Sequence, residues 1–373
     1  MPDDALSKHE IDRQIDDFLA KSQALNGQLV WERQPWNTVA TQDAIRHYAY
    51  GTADTHPLYV DPDYAARTAQ GGLVAPPTFV ISVLYPMLHG APMKGPFASL
   101  VGGVGFEWHR RIRVGDRLRP EPRQKDCFEK LGTGPSGRRD RRLVFVIAEV
   151  NYFNQDDELV ATATSPCIMA EQQGTTLQFD RPVHRYSEDE IAALEAAYKA
   201  ERRLEGVRYW NDVSIGDELP PIVRGPLTMG DLVNWNAAIG PSYKSSQLAY
   251  LDLLKTPHLS VRNPATNFPT KSSQQHEDGN LAAGRGMPGP FDHGVMRFAM
   301  VAPLVTNWAG DEGFLKRLYT KVGRPSIYGD TQTYRGRVTA KHNDGRVDIA
   351  ISGTNQIGED STSGEATVIL PKR

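Results

Sequence analysis

Cysteine is nearly missing from this chain. Cys127 and Cys167 are the only two in 373 residues. Two cysteines cannot staple a fold of this size, so a disulfide scaffold is excluded, and the usage fits a reducing compartment, which we read as the cytoplasm. Neither has a Cys or His nearby in a ligand-like spacing, so no metal site is expected. An excess of either charge is missing too. Forty-two Lys and Arg against 45 Asp and Glu leave a net charge of −3, which gives no nucleic-acid or membrane signature. The apolar segment Thr78–Leu88 is too short to span a bilayer. The N-terminus, MPDDALSKHEIDRQ, is polar and mixed in charge, unlike a signal peptide.

What is present describes an ordinary globular protein, 39% hydrophobic and 23% charged. The length suggests about two domains of ~150 residues each. Residues 8–22 carry Ile11, Ile15, Phe18 and Leu19 on one helical face. Val30 and Trp31 begin a strand, and Thr41 can cap a helix over Gln42–Tyr50. An apolar helix is expected over Thr78–Leu88. Four alternating segments follow, Gly105–Val114, Leu118–Leu131, Arg142–Asn154 and Glu158–Met169, which read as antiparallel strands. Glu171 to Glu205 is a linker ending in a charged helix, where Ser187 and Glu190 make a capping box.

The second half repeats the first. Thr228-Met229-Gly230-Asp231 starts a helix as Thr41 does. Asp292-His293-Gly294 opens an apolar helix, Val295–Val305, matching the one at Thr78. Tyr328-Gly329-Asp330 answers Val114-Gly115-Asp116, and Asn355-Gln356 answers Asn154-Gln155. The strand Glu365–Leu370 answers Glu158–Met169. We expect an N-terminal unit over 1–172, a linker over 173–205 and a C-terminal unit over 206–373. The second unit carries a long insertion at 252–290, which holds His258 and His276 and reads as a lid or a substrate-shaping segment.

Chemistry concentrates in Gly51–Pro77, where Asp54, His56 and Tyr59 put an acid, an imidazole and a phenol close together. Such a pair on a loop facing a helix start can transfer protons. A turn in which Asp54 caps the next helix, or His56 is a cap histidine, is the alternative. The run Ala53-Asp54-Thr55-His56-Pro57-Leu58-Tyr59-Val60-Asp61 resembles the signature of the MaoC-like dehydratases and (R)-specific enoyl-CoA hydratases, Gly-Asp-x-Asn-Pro-φ-His-x-Asp followed by a His-Gly at a long central helix. Ala53 replaces the Gly, His56 the Asn and Tyr59 the catalytic His, while Ala75-Pro76 stands at the His-Gly. In this version the first half resembles the FAS1-like partner domains of two-domain dehydratases.

The resemblance implies an α+β double hotdog: two antiparallel sheets, each wrapping a central helix, joined as a pseudo-dimer. It implies addition or removal of water across the α,β bond of an acyl-CoA or related thioester, with no cofactor. A homodimer without nucleic-acid or membrane partners is expected. Asp54 and His56, or His293, would move protons. Gly294 N–H would hold the enolate, for which a helix start is suited, whereas Pro76 has no N–H to offer. Asp292 as a plain cap and Gly294 as a packing glycine are the alternative. A site composed of Asp54 and His56 from one half and Gly294 from the other is one arrangement. Tyr59, Tyr243, Phe291 and Asp292 are candidates for substrate contact. The clusters Arg110, Arg111, Arg113 and Arg138, Arg139, Arg141, Arg142 can hold coenzyme A phosphates or guard a sheet edge. A thioesterase, a non-catalytic chamber subunit and a hydro-lyase for a non-thioester are the rival functions.

Overall fold

A computed structural model describes residues 7–93, 97–133, 139–171, 181–240, 244–284 and 286–373. In the first half, helix α1 (Lys8–Gln23) starts in a Ser7/Glu10 capping box and buries Ile11, Ile15 and Phe18. Helix α2 (Gln42–Gly51) is capped by Thr41, whose side chain accepts from Ala44 N–H. Two short helices follow, α3 (Pro57–Val60) and α4 (Pro62–Arg67), then a 3₁₀ turn Pro77–Phe79 and a single helical turn α5 (Val80–Val83). Strands β1 (Phe97–Val101), β2 (Val104–Trp108), β3 (Arg119–Gly132), β4 (Arg141–Phe153) and β5 (Leu159–Glu171) complete it. The linker helix α6 (Glu188–Ala200) keeps the predicted capping box and buries nothing.

The second half runs β6 (Glu218–Arg224), α7 (Met229–Ile239), α8 (Ser246–Lys255), β7 (Ser260–Arg262), β8 (Pro269–Lys271), α9 (Gly279–Ala283) and α10 (Gly294–Ala309). It ends in β9 (Phe314–Val322), β10 (Gln332–Lys341), β11 (Arg346–Asn355) and β12 (Asp360–Ile369). Ten strands form one antiparallel sheet in the order β3-β4-β5-β2-β9-β12-β11-β10-β6 with β1 also on β5. The halves join edge to edge where β2 pairs with β9, Phe106 opposite Leu318. This is the α+β double hotdog, its two sheets continuous with each other.

The repeat extends to single hydrogen bonds. Asp116 accepts from Arg113 N–H and Gln155 Nε2, and Asp330 accepts from Ile327 N–H and Gln356 Nε2. Gln155 in turn accepts from Arg117 N–H, as Gln356 does from Thr331 N–H. The glycine in each turn has positive φ, +95° at Gly115 and +86° at Gly329, which a side chain would strain. Helices α2 and α7 occupy matching places and pack on each other. A Cβ at Gly51 would lie 2.5 Å from that of Ala238, so the approach requires glycine.

Two expectations fail. Val30 and Trp31 form no strand; the chain makes one bridge there, Leu29 to Arg123. Among its described residues the first half also lacks a long central helix, because α5 ends at the extended residue Leu84. Pro86 explains this: it disfavours helix at Tyr85, and β-branched Val80, Ile81 and Val83 give little helical preference of their own. The chain's long buried helix is therefore α10. Thirteen of its sixteen residues are buried, among them Phe298, Trp308 and the ion pair of Arg297 with Asp292.

Candidate active site

At the start of α10 the chain assembles a polar cluster. His293 Nε2 lies 2.8 Å from Glu277 Oε1. A carboxylate only accepts, so Nε2 carries the proton. Asn236 Nδ2 donates to the same oxygen at 3.0 Å, while Glu277 Oε2 is buried and has no partner among the described residues. His276 stacks on His293 with ring centres 3.9 Å apart. Its Nδ1 lies 3.0 Å from Phe291 O. A carbonyl also only accepts, so Nδ1 carries a proton. Beside the imidazoles, Gly294 opens the helix, where the first-turn N–H groups have no intrahelical acceptor and the dipole favours negative charge.

This cluster is the counterpart of the Asp54 region, which the sequence reading did not recognise. Asp61 caps α4 and Asp278 caps α9, each accepting from the first turn. With these caps aligned, Tyr59 corresponds to His276, Asp54 to Lys271, and Pro76-Pro77, rather than the expected Ala75-Pro76, to His293-Gly294. The caps Thr41 and Asp61 are 20 residues apart, and Thr228 and Asp278 are 50 apart, so 30 residues are extra. They precede Lys271 and include α8 and β7. The insertion placed at 252–290 is thus corrected, since 271–294 belongs to the repeat.

Asp54 and its neighbours sit at the other end of α10. Asp54 is wholly buried, and neither carboxylate oxygen has a hydrogen-bond partner among the described residues. Burial pushes its pKa up to about 6, against the pull of Arg203 and Arg224. It does not cap α3. His56 does, through Nδ1, which accepts from Leu58 N–H at 3.2 Å. His56 Nε2 lies 3.8 Å from Asp311 Oδ1, too far for a hydrogen bond. Burial pushes the His56 pKa down to about 4, so the ring is neutral at pH 7. Burial likewise raises the Tyr59 phenol well above its usual range. A cavity of about 20 Å³, lined by His56, Tyr59, Trp108, Arg111 and Thr306, has room for about one water.

The composite site does not form. Asp54 and His56 lie by Asp311 at the C-terminal end of α10 and Gly294 at its N-terminal end, about 24 Å apart along sixteen residues. Asp292 is committed elsewhere: its oxygens accept from Arg297 Nε and Nη2 at 2.8 Å and from Ser326 N–H at 2.7 Å. It is a structural anchor and has no side-chain capping bond to α10. Phe291 is buried and forms the floor under His276, ring centres 4.3 Å apart. Tyr243 and Arg138 lie outside the described residues. Arg110 pairs with Glu158, Arg111 donates to Asp311 O and Gly313 O, and Arg142 ties β4 to α1 through Asp16. These contacts make the arginines structural.

His276 could have been found from the sequence. From Tyr59 to Pro77 and from His276 to Gly294 the count is 18 in both halves, and each segment has an Asp two residues after its aromatic ring.

Known proteins agree with this architecture. The profile of the FAS1-like dehydratase domain region matches residues 28–163. The 3-oxo-4,17-pregnadiene-20-carboxyl-CoA hydratase beta subunit of Mycobacterium tuberculosis is 33% identical over 110 residues, 29% of this chain and 82% of that protein. A UPF0336 protein of Streptomyces griseus is 36% identical over 83 residues, 21% of this chain; the match spans only 55% of that relative's length. A solved MaoC-like dehydratase superposes with a TM-score of 0.64 at 19% identity, covering 94% of this chain and 99% of its own. Among the described residues no helix is long and apolar enough to cross a membrane. With the repeat, the sheet and these relatives in agreement, the chain belongs to the MaoC-like hydratase and dehydratase family, with a FAS1-like dehydratase region in its first half.

Proposed function

We propose that the protein hydrates or dehydrates an acyl thioester, and that its reacting end is the start of α10. The observation that carries this is the cluster of His276, Glu277 and His293 beside the N–H of Gly294. In hydration, a water oxygen bonds to the β carbon. The water's proton passes to Glu277 Oε2 and is returned to the α carbon. Charge collects meanwhile on the thioester oxygen as an enolate, and the Gly294 N–H and the helix start stabilise it. Dehydration is the reverse. His293 holds the Glu277 carboxylate in place, and Phe291 O fixes the His276 tautomer. The hydratase name of the mycobacterial relative supports a coenzyme A thioester as the substrate.

A second reading has one specific observation behind it. Lys271 stands where the first half has Asp54, and Tyr59 stands where the second has His276. Neither half therefore holds the acid and the imidazole together at the signature positions, as would suit a subunit that shapes the chamber of a partner hydratase. Incubation with a panel of enoyl-CoAs separates the two readings. Loss of the enoyl absorbance and appearance of the 3-hydroxyacyl-CoA, reduced about 10²-fold or more in His276→Ala, is the expected result. Activity that appears only with an added partner protein, and is indifferent to His276→Ala, supports the chamber role.

A further inference from the structure

The two halves differ at one more buried position. With Thr41 and Thr228 aligned as caps, Ala49 of α2 corresponds to Asn236 of α7, and both are buried. Alanine serves the helix and the packing in the first half. Asparagine is the poorer choice for both. Its helix propensity is lower, because its side chain competes for backbone partners. Here it does compete: Nδ2 donates to Leu232 O, one turn back, at 2.6 Å. Its Oδ1 is buried with no partner among the described residues, and an orphaned carbonyl is unfavourable. Turning the amide round would not relieve this, because Nδ2 faces Leu232 O and Glu277 Oε1, and a carbonyl and a carboxylate only accept. A residue that breaks local preferences in one half of a repeat is expected at a functional place.

What asparagine gains is the bond to Glu277 Oε1, at 3.0 Å. Glu277 stands between the 3₁₀ turn Ser272–His276 and Asp278, the cap of α9, so no regular element holds it. A glutamate side chain has much rotamer freedom, and contacts at its carboxylate must fix it. Two donors arrive there from different helices. His293 Nε2 comes from the start of α10 at 2.8 Å, and Asn236 Nδ2 comes from α7. A carboxylate oxygen has two lone pairs, so this pair of donors fills Oε1. Oε2 is left buried and without a partner among the described residues. The water's proton then has one oxygen to go to. The first half has no such arrangement. Ala49 has no side-chain donor, and neither oxygen of Asp54 is hydrogen-bonded among the described residues.

We propose that Asn236 is a positioning residue of the reacting end: with His293 it closes Oε1 of Glu277, and so leaves Oε2 as the oxygen that takes the water's proton. This rests on the thioester reading above. The test is Asn236→Ala, which installs the first half's residue at this place, assayed on the enoyl-CoA panel. Its kcat should fall about ten-fold or more, the scale of one hydrogen bond to a charged group, while KM changes less than about two-fold. Its urea midpoint should not fall, because alanine restores helix preference and removes the orphaned oxygen. In the Glu277→Gln background the same substitution should change kcat by less than about two-fold, since a residue that acts through Glu277 then has no base to position. A merely structural asparagine behaves otherwise. It gives a lowered midpoint or an unfolded variant with kcat per folded molecule kept, or an equal fall in kcat in both backgrounds. Each of these overturns the proposal, as does an Asn236→Ala enzyme with the kcat of the wild type. Failure of the wild type to turn over any of the panel would instead remove the thioester reading, and this assignment with it.

Discussion

The two ends of α10 are the same piece of chain used twice with opposite results. At the C-terminal end stands an acid, Asp54, with a phenol at the imidazole's place and prolines where an N–H would be needed. At the N-terminal end stand two imidazoles, a glutamate and a helix start that opens on glycine, with a lysine at the acid's place. The difference shows how a duplicated fold can divide its labour. One copy lacks the long helix and has prolines at its start, which on the proposed reading makes it a wall. The other keeps the helix and, on the same reading, takes its carboxylate from the neighbouring position, Glu277. Charge burial follows the same division: Asp54 is buried with no hydrogen bond among the described residues, whereas Asp292 has Arg297 and Ser326 around it.

The largest effect expected from breaking this contrast is on stability. Arg297 is fully buried, pairs with Asp292, and also donates to Ser361 O at 3.0 Å; its first-half counterpart is Val80. Arg297→Ala strands the Asp292 carboxylate and should cost about 3–5 kcal/mol by denaturant unfolding. Val80→Ala, a plain truncation in the core, should cost less. A loss of under 1 kcal/mol in Arg297→Ala would mean the pair does not anchor the start of α10.

The next effect depends on pH. The Asp54 pKa is raised on folding to about 6, so ionising it costs stability as pH rises through the interval from the unfolded value to the folded one. The penalty is absent well below pH 3.8 and complete above about pH 6. Asp54→Asn removes the charge and keeps the shape. Its stability relative to wild type should therefore rise by about 2 kcal/mol between pH 4.5 and 7.5. A difference that stays flat across this range would show that Asp54 is solvated or paired at neutral pH.

A smaller effect concerns Gly294. A Cβ there would sit 3.0 Å from the Cβ of Val101 on β1, so Gly294→Ala is not a silent control for loss of the N–H. It should cost about 1–2 kcal/mol by overpacking, and Val101→Ala in the same chain should restore most of that. Gly294→Ala in the Val101→Ala background is then the reference against which Gly294→Pro, which removes the donor, is compared in turnover. Equal turnover in the two would make Gly294 a packing glycine only.

Much of this was legible because caps and turns are local. Thr41 and Thr228, Asp116 and Asp330, and Gln155 and Gln356 announce the repeat through side chains that satisfy nearby backbone. The central helix of the first half was misread because the apolar composition of Thr78–Leu88 says only that the segment is buried; Pro86 decides its conformation. His276 escaped because 30 extra residues precede it and because Lys271 and Gln274 replace the acid and the proline of the signature.

The central claim is that chemistry belongs to the N-terminal end of α10. The most direct measurement is kcat with one enoyl-CoA for Glu277→Gln and Asp54→Asn side by side, each checked for native circular dichroism. The account predicts a fall of about 10²-fold or more for Glu277→Gln and less than about ten-fold for Asp54→Asn. The reverse order would return the proton transfer to Asp54 and contradict the assignment made here.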